Sequence, residues 1–316
     1  MGAAGFLAGD WGTSQLRLFL CNGDGTALDT RSGPGAASAD GRFAEIFDAL
    51  TSRWSNLHGT LPAVLCGMVG SSIGWAQAPY VACPARPEQI VDGCIAVHGG
   101  RVRIVPGLSC HNRFNAPDFL RGEETQILGA LQLDTKLRRG RHLLCLPGTH
   151  TKWVVLDDGR VQDFITAPTG ELFALLRDHS VLVRNPSGVE AQVGGTAFDN
   201  GVAEFNAFPH GQLLHRLFEC RSRMLAGELA APATSAFLSG LLIASDINGA
   251  LQTVPTGLAS RTVQLIGAPQ LTSLYTTALA TRDYGTQELD GTAAALAGLV
   301  RVQQVLTRGV AARAAN

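Results

Sequence analysis

Two short strings in this sequence carry residue types suited to holding a polyphosphate. In Asp10-Trp11-Gly12-Thr13-Ser14 a carboxylate precedes a Gly-Thr-Ser turn by one residue. Phosphates are held by backbone N–H groups presented at close range, so such a turn needs glycine and short hydroxyl side chains. A carboxylate at the end of the preceding strand suits Mg2+, which gives up its waters reluctantly and takes few protein ligands. Asp10 is therefore the candidate Mg2+ ligand, through water, and Gly12, Thr13 and Ser14 are the candidate phosphate contacts. The second string, Gly148-Thr149-His150-Thr151-Lys152, repeats the Gly-Thr pair. Either turn alone reads equally well as an ordinary hairpin. Two of them, opening two matching segments, could clamp one polyphosphate between them. Arg17 and Lys152 follow the turns at similar offsets and are candidates to neutralise phosphate charge, or else solvated hairpin cations.

Phosphate transfer to a hydroxyl also needs a carboxylate to take the hydroxyl proton, held on a rigid element. Asp118, Glu123 and Glu124 are the candidates. The last two open a helix, where acids also serve simply to complement the helix dipole. The loop 67–75, GMVGSSIGW, follows a buried strand at the position where open α/β sheets take ligands. Gly70, Ser71 and Trp75 there offer backbone approach, a hydroxyl and an aromatic face for an acceptor. Glu171, in Thr169-Gly170-Glu171, opens another helix straight after a strand and could add a polar contact or only cap the helix. Gly267-Ala268 follows a β-branched strand and opens a helix; small residues there let a flat base lie against the backbone, although such turns commonly carry glycine in any case.

These residues need strands that end at the turns. Apolar runs over 5–10, 16–21, 62–66 and 102–105 read as strands, with a further one from residue 26. Phe43, Phe47, Leu50 and Trp54 recur at helical spacing within 40–54, and a helix is expected from about 122 to 133. After a basic linker over 136–141 the pattern restarts: strands at 142–146, 152–156 and 161–166 enclose turns at 147–150 and 157–159. Residues 7–25, LAGDWGTSQLRLFLCNGDG, and 144–159, LCLPGTHTKWVVLDDG, share one plan of strand, Gly-Thr turn, cation, strand and acidic turn. The repeat implies two domains of similar topology, 1–140 and 141–316. Helices over 170–179, 210–225, 234–247, 270–280 and 289–306 and a strand at 262–266 complete the second. Gly194-Gly195-Thr196, a third Gly-Thr pair, lacks flanking strands and reads as loop.

Composition excludes several classes. The 316 residues carry 25 Lys+Arg against 26 Asp+Glu, a net charge of -1, which lacks the basic surplus of a nucleic-acid binder. At 46% apolar and 16% charged residues the chain can bury a large core. No apolar run is long enough to span a membrane, and the start lacks the basic region of a secretory signal. Seven cysteines, odd in number and without a CxxC pair, read as reduced thiols of a cytoplasmic protein. Neither a GxxxxGK[ST] nor a strand-linked GxGxxG occurs, nor HExxH or GxSxG. The low charge and the helical second half are compatible with a homodimer.

Asp10 to Ser14 resembles the first phosphate motif of the actin-like superfold, Gly148-Thr149 its second, and Leu265-Ile266-Gly267-Ala268 its adenosine motif. More narrowly, CGMVGSSIGWAQAPYVACPA (66–85), DFLRGEETQ (118–126), LPGTHTKWV (146–154) and TGELFALLRDHSVL (169–182) resemble the 2-dehydro-3-deoxygalactonokinase family, in the right order from residue 7 to about 300. The resemblance implies an α/β fold of two duplicated actin-like (ribonuclease H-like) domains with a nucleotide cleft between them. It implies transfer of the ATP γ-phosphate, with Mg2+, to the C6 hydroxyl of 2-dehydro-3-deoxy-D-galactonate in D-galactonate breakdown, with phosphates near Gly12 and Gly148 and adenosine near Gly267. The helix at Gly122-Glu123 is also similar to the Gly-Asp-Gln-Gln helix of carbohydrate kinases, whose Asp is the base; here Glu replaces Asp.

Overall fold

The computed structural model describes residues 3–183, 193–208, 212–253 and 257–314. These group into two compact units. Unit 1 takes 1–141, 156–164 and 289–316; unit 2 takes 142–155 and 165–288.

Unit 1 is built on a six-stranded sheet in the order β3-β2-β1-β4-β7-β6. Its strands are β1 (Ala4–Trp11), β2 (Gln15–Asn22), β3 (Ala27–Pro34), β4 (Ala63–Gly67), β6 (Ile95–Val97) and β7 (Val102–Ile104). The meander β1–β2–β3 is antiparallel, whereas β4 lies parallel to β1 and β7 parallel to β4. Parallel pairing sets Asp10 beside Cys66 and Trp11 beside Gly67, so two strand ends meet where ligands bind in open α/β sheets. Helix α1 (Phe43–His58) buries Thr51 and, of the stripe expected from its spacing, Phe43, Phe47 and Trp54, with Leu50 half-buried. These side chains join Leu7, Trp11, Leu16 and Leu18 of the sheet in one core. A short helix α2 (Pro87–Asp92) and a three-stranded sheet β5-β8-β9 (Tyr80–Ala82, Gly107–His111, Pro117–Leu120) precede α3 (Glu123–Leu133).

Unit 2 carries most of a five-stranded sheet in the order β12-β11-β10-β13-β14, formed by β10 (Arg141–Leu146), β11 (Thr151–Asp157), β12 (Arg160–Ala167), β13 (Thr262–Gly267) and β14 (Gly285–Asp290). Strand β13 is parallel to β10. The order β12-β11-β10-β13 repeats β3-β2-β1-β4, so the sequence repeat is a repeat of topology. Helices α4 (Thr169–His179), α5 (Thr196–Ala207), α6 (Leu213–Leu217), α7 (Glu219–Leu225), α8 (Thr234–Thr253) and α9 (Pro269–Ala280) accompany this sheet. Phe198, Phe205, Phe237, Leu241 and Leu265 anchor its core.

Several elements differ from the sequence reading. Thr196 of the supposed loop begins α5, because Phe198, Val202 and Phe205 supply a helical apolar stripe that the glycines before it obscured. Of the helix expected over 210–225, residues 210 and 211 lie outside the described residues, and the remainder forms α6 and α7 with a turn at Phe218. Residues 289 and 290, expected to open the last helix, instead end strand β14, which has no alternating apolar face, and the last helix, α10 (Gly291–Ala314), groups with unit 1 although the sequence reading gave it to the second domain. Two glycines allow this: a Cβ at Gly129 of α3 would lie 1.8 Å from the Ala294 carbonyl oxygen, and one at Gly298 of α10 would lie 1.9 Å from that of Thr125. Helix backbones meet there at a separation no larger residue permits.

Candidate functional site

The Asp10 carboxylate sits at the end of β1, its side chain 27% exposed, with Arg17 Nη1 4.0 Å away and the Cys66 thiol donating to it at 3.9 Å. Burial pushes its pKa up, against the opposing pull of Arg17. Arg17, 43% exposed, also donates to Thr292 Oγ1 at the start of α10. In the turn that follows, the Gly12 amide is committed to the Gln15 carbonyl, and the Gly12 and Thr13 carbonyls accept from Ala36 and Ala37. The donors left to a ligand are thus the exposed Thr13 and Ser14 rather than Gly12. The glycine that the turn cannot do without is outside the motif. A Cβ at Gly35 would fall 2.2 Å from the Thr13 carbonyl oxygen, whereas one at Gly12 would make only ordinary contact, 3.4 Å from Gln15.

Beside this turn, Gly67 leaves β4 with φ +89° and Gly122 opens α3 with φ +105°, and a Cβ at Gly122 would stand 3.4 Å from Gly67 Cα. Only glycine adopts such backbone without strain. The helix start is thereby held against the strand end that neighbours Asp10. Glu123 and Glu124 divide at this point. Glu124 is wholly buried; it accepts from the Gly122 amide at 2.6 Å and from Thr125 Oγ1 at 3.0 Å. Burial, then the charge of Glu123, raises its pKa to about 8, so at neutral pH it holds a proton. Glu123 is half-buried and accepts from the Arg121 amide at 2.9 Å. Asp118 lies in β9, largely buried, accepting from Asn112 and from the Phe119 amide, with its carboxylate directed to the β8–β9 hairpin.

The loop 67–75 is well ordered by its own bonds. Ser71 Oγ donates to the Met68 carbonyl and accepts from the Ile73 amide, so this hydroxyl shapes the loop. Trp75 packs against Trp11, Phe47 and His98 at centroid distances of 6.5, 5.8 and 5.3 Å. Gly70 is buried beneath Arg121, whose guanidinium stacks on Tyr80 at 4.3 Å and donates to the Ala78 carbonyl. Arg121, which lies in the string 118–126 but has no role assigned there, links this loop to the start of α3.

In unit 2 the Gly148 turn repeats the logic with other residues. A Cβ at Gly148 would meet nothing within 4 Å, but one at Gly170 would lie 2.3 Å from the Gly148 carbonyl oxygen. Here too the indispensable glycine stands outside the Gly-Thr pair. The Glu171 amide donates to the Thr149 carbonyl, and the Glu171 carboxylate lies 2.7 Å from His150 Nε2 in an exposed pair. Lys152 is 6% exposed and donates to Thr166 Oγ1 at 2.8 Å. Gly267 ends β13 next to Pro147, and Ala268 caps α9, so both motifs occupy one end of the parallel β10–β13 pair. A cleft of about 220 Å3 opens beside them, walled by Gly148, Thr169, Gly170, Phe173, Leu274 and Tyr275.

Among the described residues no cluster of three His, Cys, Asp or Glu could hold a metal. Asp10 is a single strand-end carboxylate, a donor set that fits a cation shared with phosphate oxygens and water rather than a protein cage.

A strand-end carboxylate beside a hydroxyl-bearing turn, and the same sheet order built twice, define an actin-like α/β fold. The activator of 2-hydroxyisocaproyl-CoA dehydratase from Clostridium difficile shares that fold, with a TM-score of 0.50 and 10% identity over 96% of this chain and 97% of its own. A crystal structure of a 2-dehydro-3-deoxygalactonokinase-family protein from Sinorhizobium meliloti agrees much more closely, with a TM-score of 0.86 and 36% identity over 95% of this chain and 99% of that one. In sequence, a probable 2-dehydro-3-deoxygalactonokinase of Rhizobium meliloti (strain 1021) is 38% identical over 306 residues, 95% of this chain and 97% of that protein. The 2-dehydro-3-deoxygalactonokinase of Escherichia coli (strain K12) is 36% identical over 246 residues, 77% of this chain and 80% of that protein. The chain is a phosphotransferase with an alcohol acceptor. It belongs to the 2-keto-3-deoxy-galactonokinase family, whose pattern matches residues 10–302.

Proposed function

We propose that the protein transfers the γ-phosphate of ATP to the C6 hydroxyl of 2-dehydro-3-deoxy-D-galactonate, giving the 6-phosphate and ADP in D-galactonate breakdown in the cytoplasm. The observation that carries this reading is the grouping in unit 1 of Asp10, the loop 67–75 and the start of α3 around the ends of β1 and β4. In this reading residues 1–140 supply the acceptor side. The nucleotide side comes from 141–316, apart from α10.

Glu123 is assigned the base. It stands at the first position of a rigid helix and is only half-buried, whereas Glu124 is protonated at neutral pH and already bonded to backbone. Glu123 would take the proton of the acceptor hydroxyl as the oxygen attacks phosphorus. Glu124, by accepting from the Gly122 amide, fixes the turn that aims its neighbour. Thr13 and Ser14 in unit 1, and the Gly148 turn in unit 2, would each offer contacts to phosphate oxygens, with Arg17 offsetting their charge. Mg2+, held by Asp10 through water, would neutralise charge on the phosphate oxygens. Gly70, with Trp75 behind it, would face the acid acceptor, and the cleft beside Gly267 and Ala268 would take the adenosine.

The test is ADP release in a coupled assay with Mg·ATP and either 2-dehydro-3-deoxygalactonate or its gluconate epimer, with the phosphorylated carbon located by phosphorus-coupled NMR. Turnover confined to the galactonate form, with phosphate on C6, is the expected result. ATP binding without turnover on that acid would overturn the proposal.

A further inference from the structure

Asp246 takes no part in the chemistry above, yet its carboxylate gathers donors from three elements of unit 2. Trp153 Nε1 of β11 donates to Oδ1 at 2.9 Å. Thr169 Oγ1 of α4 and Tyr275 OH of α9 donate to Oδ2 at 2.9 and 2.6 Å. Tyr275 OH also lies 3.0 Å from Thr151 Oγ1. These three donors and Thr151 are buried, and Asp246 itself projects from α8. The acidic carboxyl is pushed up to about 6 by burial, so near neutral pH it is charged and accepts only.

A carboxylate ringed by neutral donors is an expensive way to tie elements together, since an apolar cluster of the same shape does so without burying charge. What a carboxylate does that an apolar group cannot is dictate direction. Because Asp246 accepts at both oxygens, the hydroxyl protons of Thr169 and Tyr275 must point inward, which fixes their rotamers and leaves only acceptor lone pairs for anything else they meet. Those two residues are also walls of the cleft beside Gly148. Thr169 further precedes Gly170, which bears on the Gly148 carbonyl.

We propose that Asp246 is a positioning residue for the nucleotide, setting the place and proton direction of Thr169 and Tyr275 along the cleft that receives it. The inference rests on the reading of this cleft as a nucleotide site. It assigns Asp246 no contact with the reacting atoms. Asparagine at 246 keeps the shape and the acceptor for Trp153 but presents an N–H to the two hydroxyls and so reverses them.

The test measures Mg·ADP affinity by calorimetry on the full chain, as wild type, Asp246→Asn and Tyr275→Phe, beside the KM values for ATP and the acid acceptor and the melting temperature. Loss of a charge-assisted buried hydrogen bond predicts Mg·ADP affinity and KM for ATP weakened about tenfold or more in Asp246→Asn, with the acceptor KM within about twofold and the fold intact. Tyr275→Phe is expected to shift the same two quantities by about threefold, having lost one donor of the set. Unchanged Mg·ADP affinity in a folded Asp246→Asn protein overturns the inference, and so does a parallel rise in both KM values with a fall in melting temperature. Should Asp246→Asn not fold, unchanged affinity in Tyr275→Phe overturns it instead. Calorimetry needs no acceptor, so wild type that binds Mg·ADP without phosphorylating the acid refutes the proposed function while still deciding this one.

Discussion

The two Gly-Thr turns share a sheet position, yet they are equipped for different work. The first follows a carboxylate, Asp10, and has an exposed arginine 4.0 Å from it. In the second, the residue at the corresponding strand end is the buried Leu146, and the cation, Lys152, is enclosed and bonded to Thr166. Beside it lie the exposed Glu171–His150 pair and, set back behind Thr169 and Tyr275, the carboxylate of Asp246. A duplicated frame has thus kept its turns and separated their chemistry. The first turn keeps charge in the open, where phosphate and Mg2+ could use it. The second encloses its cation, Lys152, and ties the Asp246 carboxylate to three donors, where both hold shape.

This contrast orders the expected effects of substitution. The largest belongs to the base beside the first turn: Glu123→Gln should lower kcat by ~10²–10⁴, the usual contribution of general base catalysis, measured by steady-state ADP release. If Glu124→Gln does this instead, the two acids have exchanged roles. Next comes Asp10→Asn, expected to cost ~10²-fold in kcat while acceptor KM changes little. An unchanged kcat would remove Asp10 from the Mg2+ site and erase the difference between the turns.

The second turn should answer in binding and stability. Gly148→Ala adds a methyl group to open space, so its melting temperature should match wild type while KM for ATP rises about tenfold from steric conflict with phosphate. Gly170→Ala meets the Gly148 carbonyl directly and should cost ~1–3 kcal/mol of stability by urea titration. If Gly148→Ala leaves KM for ATP unchanged, no phosphate lies against that turn.

The smallest effect on activity is expected of Glu124→Gln at neutral pH, where the wild-type side chain is already uncharged. Its signature lies in pH. A carboxyl raised from 4.5 to about 8 on folding means that the native state binds the extra proton between those values. Wild-type stability therefore falls as pH rises through that window, by up to ~1.4 kcal/mol per pH unit from this group alone. Urea midpoints of wild type and Glu124→Gln at pH 5, 7 and 8.5 should diverge, the variant gaining on wild type as pH rises. Parallel midpoints would mean that Glu124 is charged in the native state.

Much of the frame could be read from the residues, because strand ends and tight turns are written locally. Asp10, the Gly-Thr pairs and the stripe Phe43, Phe47 and Trp54 each declare themselves within a few positions. The supports of the site do not. Gly35 and Gly170 look like any loop or helix-start glycine until their neighbours' carbonyls come to lie against them. Asp246 sits in a helix otherwise dominated by apolar residues, and its three donors are 93, 77 and 29 residues away in sequence. Ser71 and Lys152 misled in the opposite direction, since a hydroxyl or an ammonium in a promising string carries no mark of which way it will turn. Strand β14 lacked an apolar alternation because all six of its residues are at least partly exposed on the sheet margin, and only pairing makes it a strand.

Helix α10 has a consequence for the order in which the chain takes shape. It leaves the ribosome after every strand of both sheets, yet it closes against α3 through Gly129 and Gly298 and helps hold Arg17 through Thr292. Domains usually mature in the order of their synthesis. Here the part begun first must wait for a helix made after both sheets, while residues 165–288 are already complete and free to collapse. A nascent chain stalled before residue 291 would present a finished second sheet and a first unit whose α3 surface is still bare, a stretch on which a chaperone would be most needed.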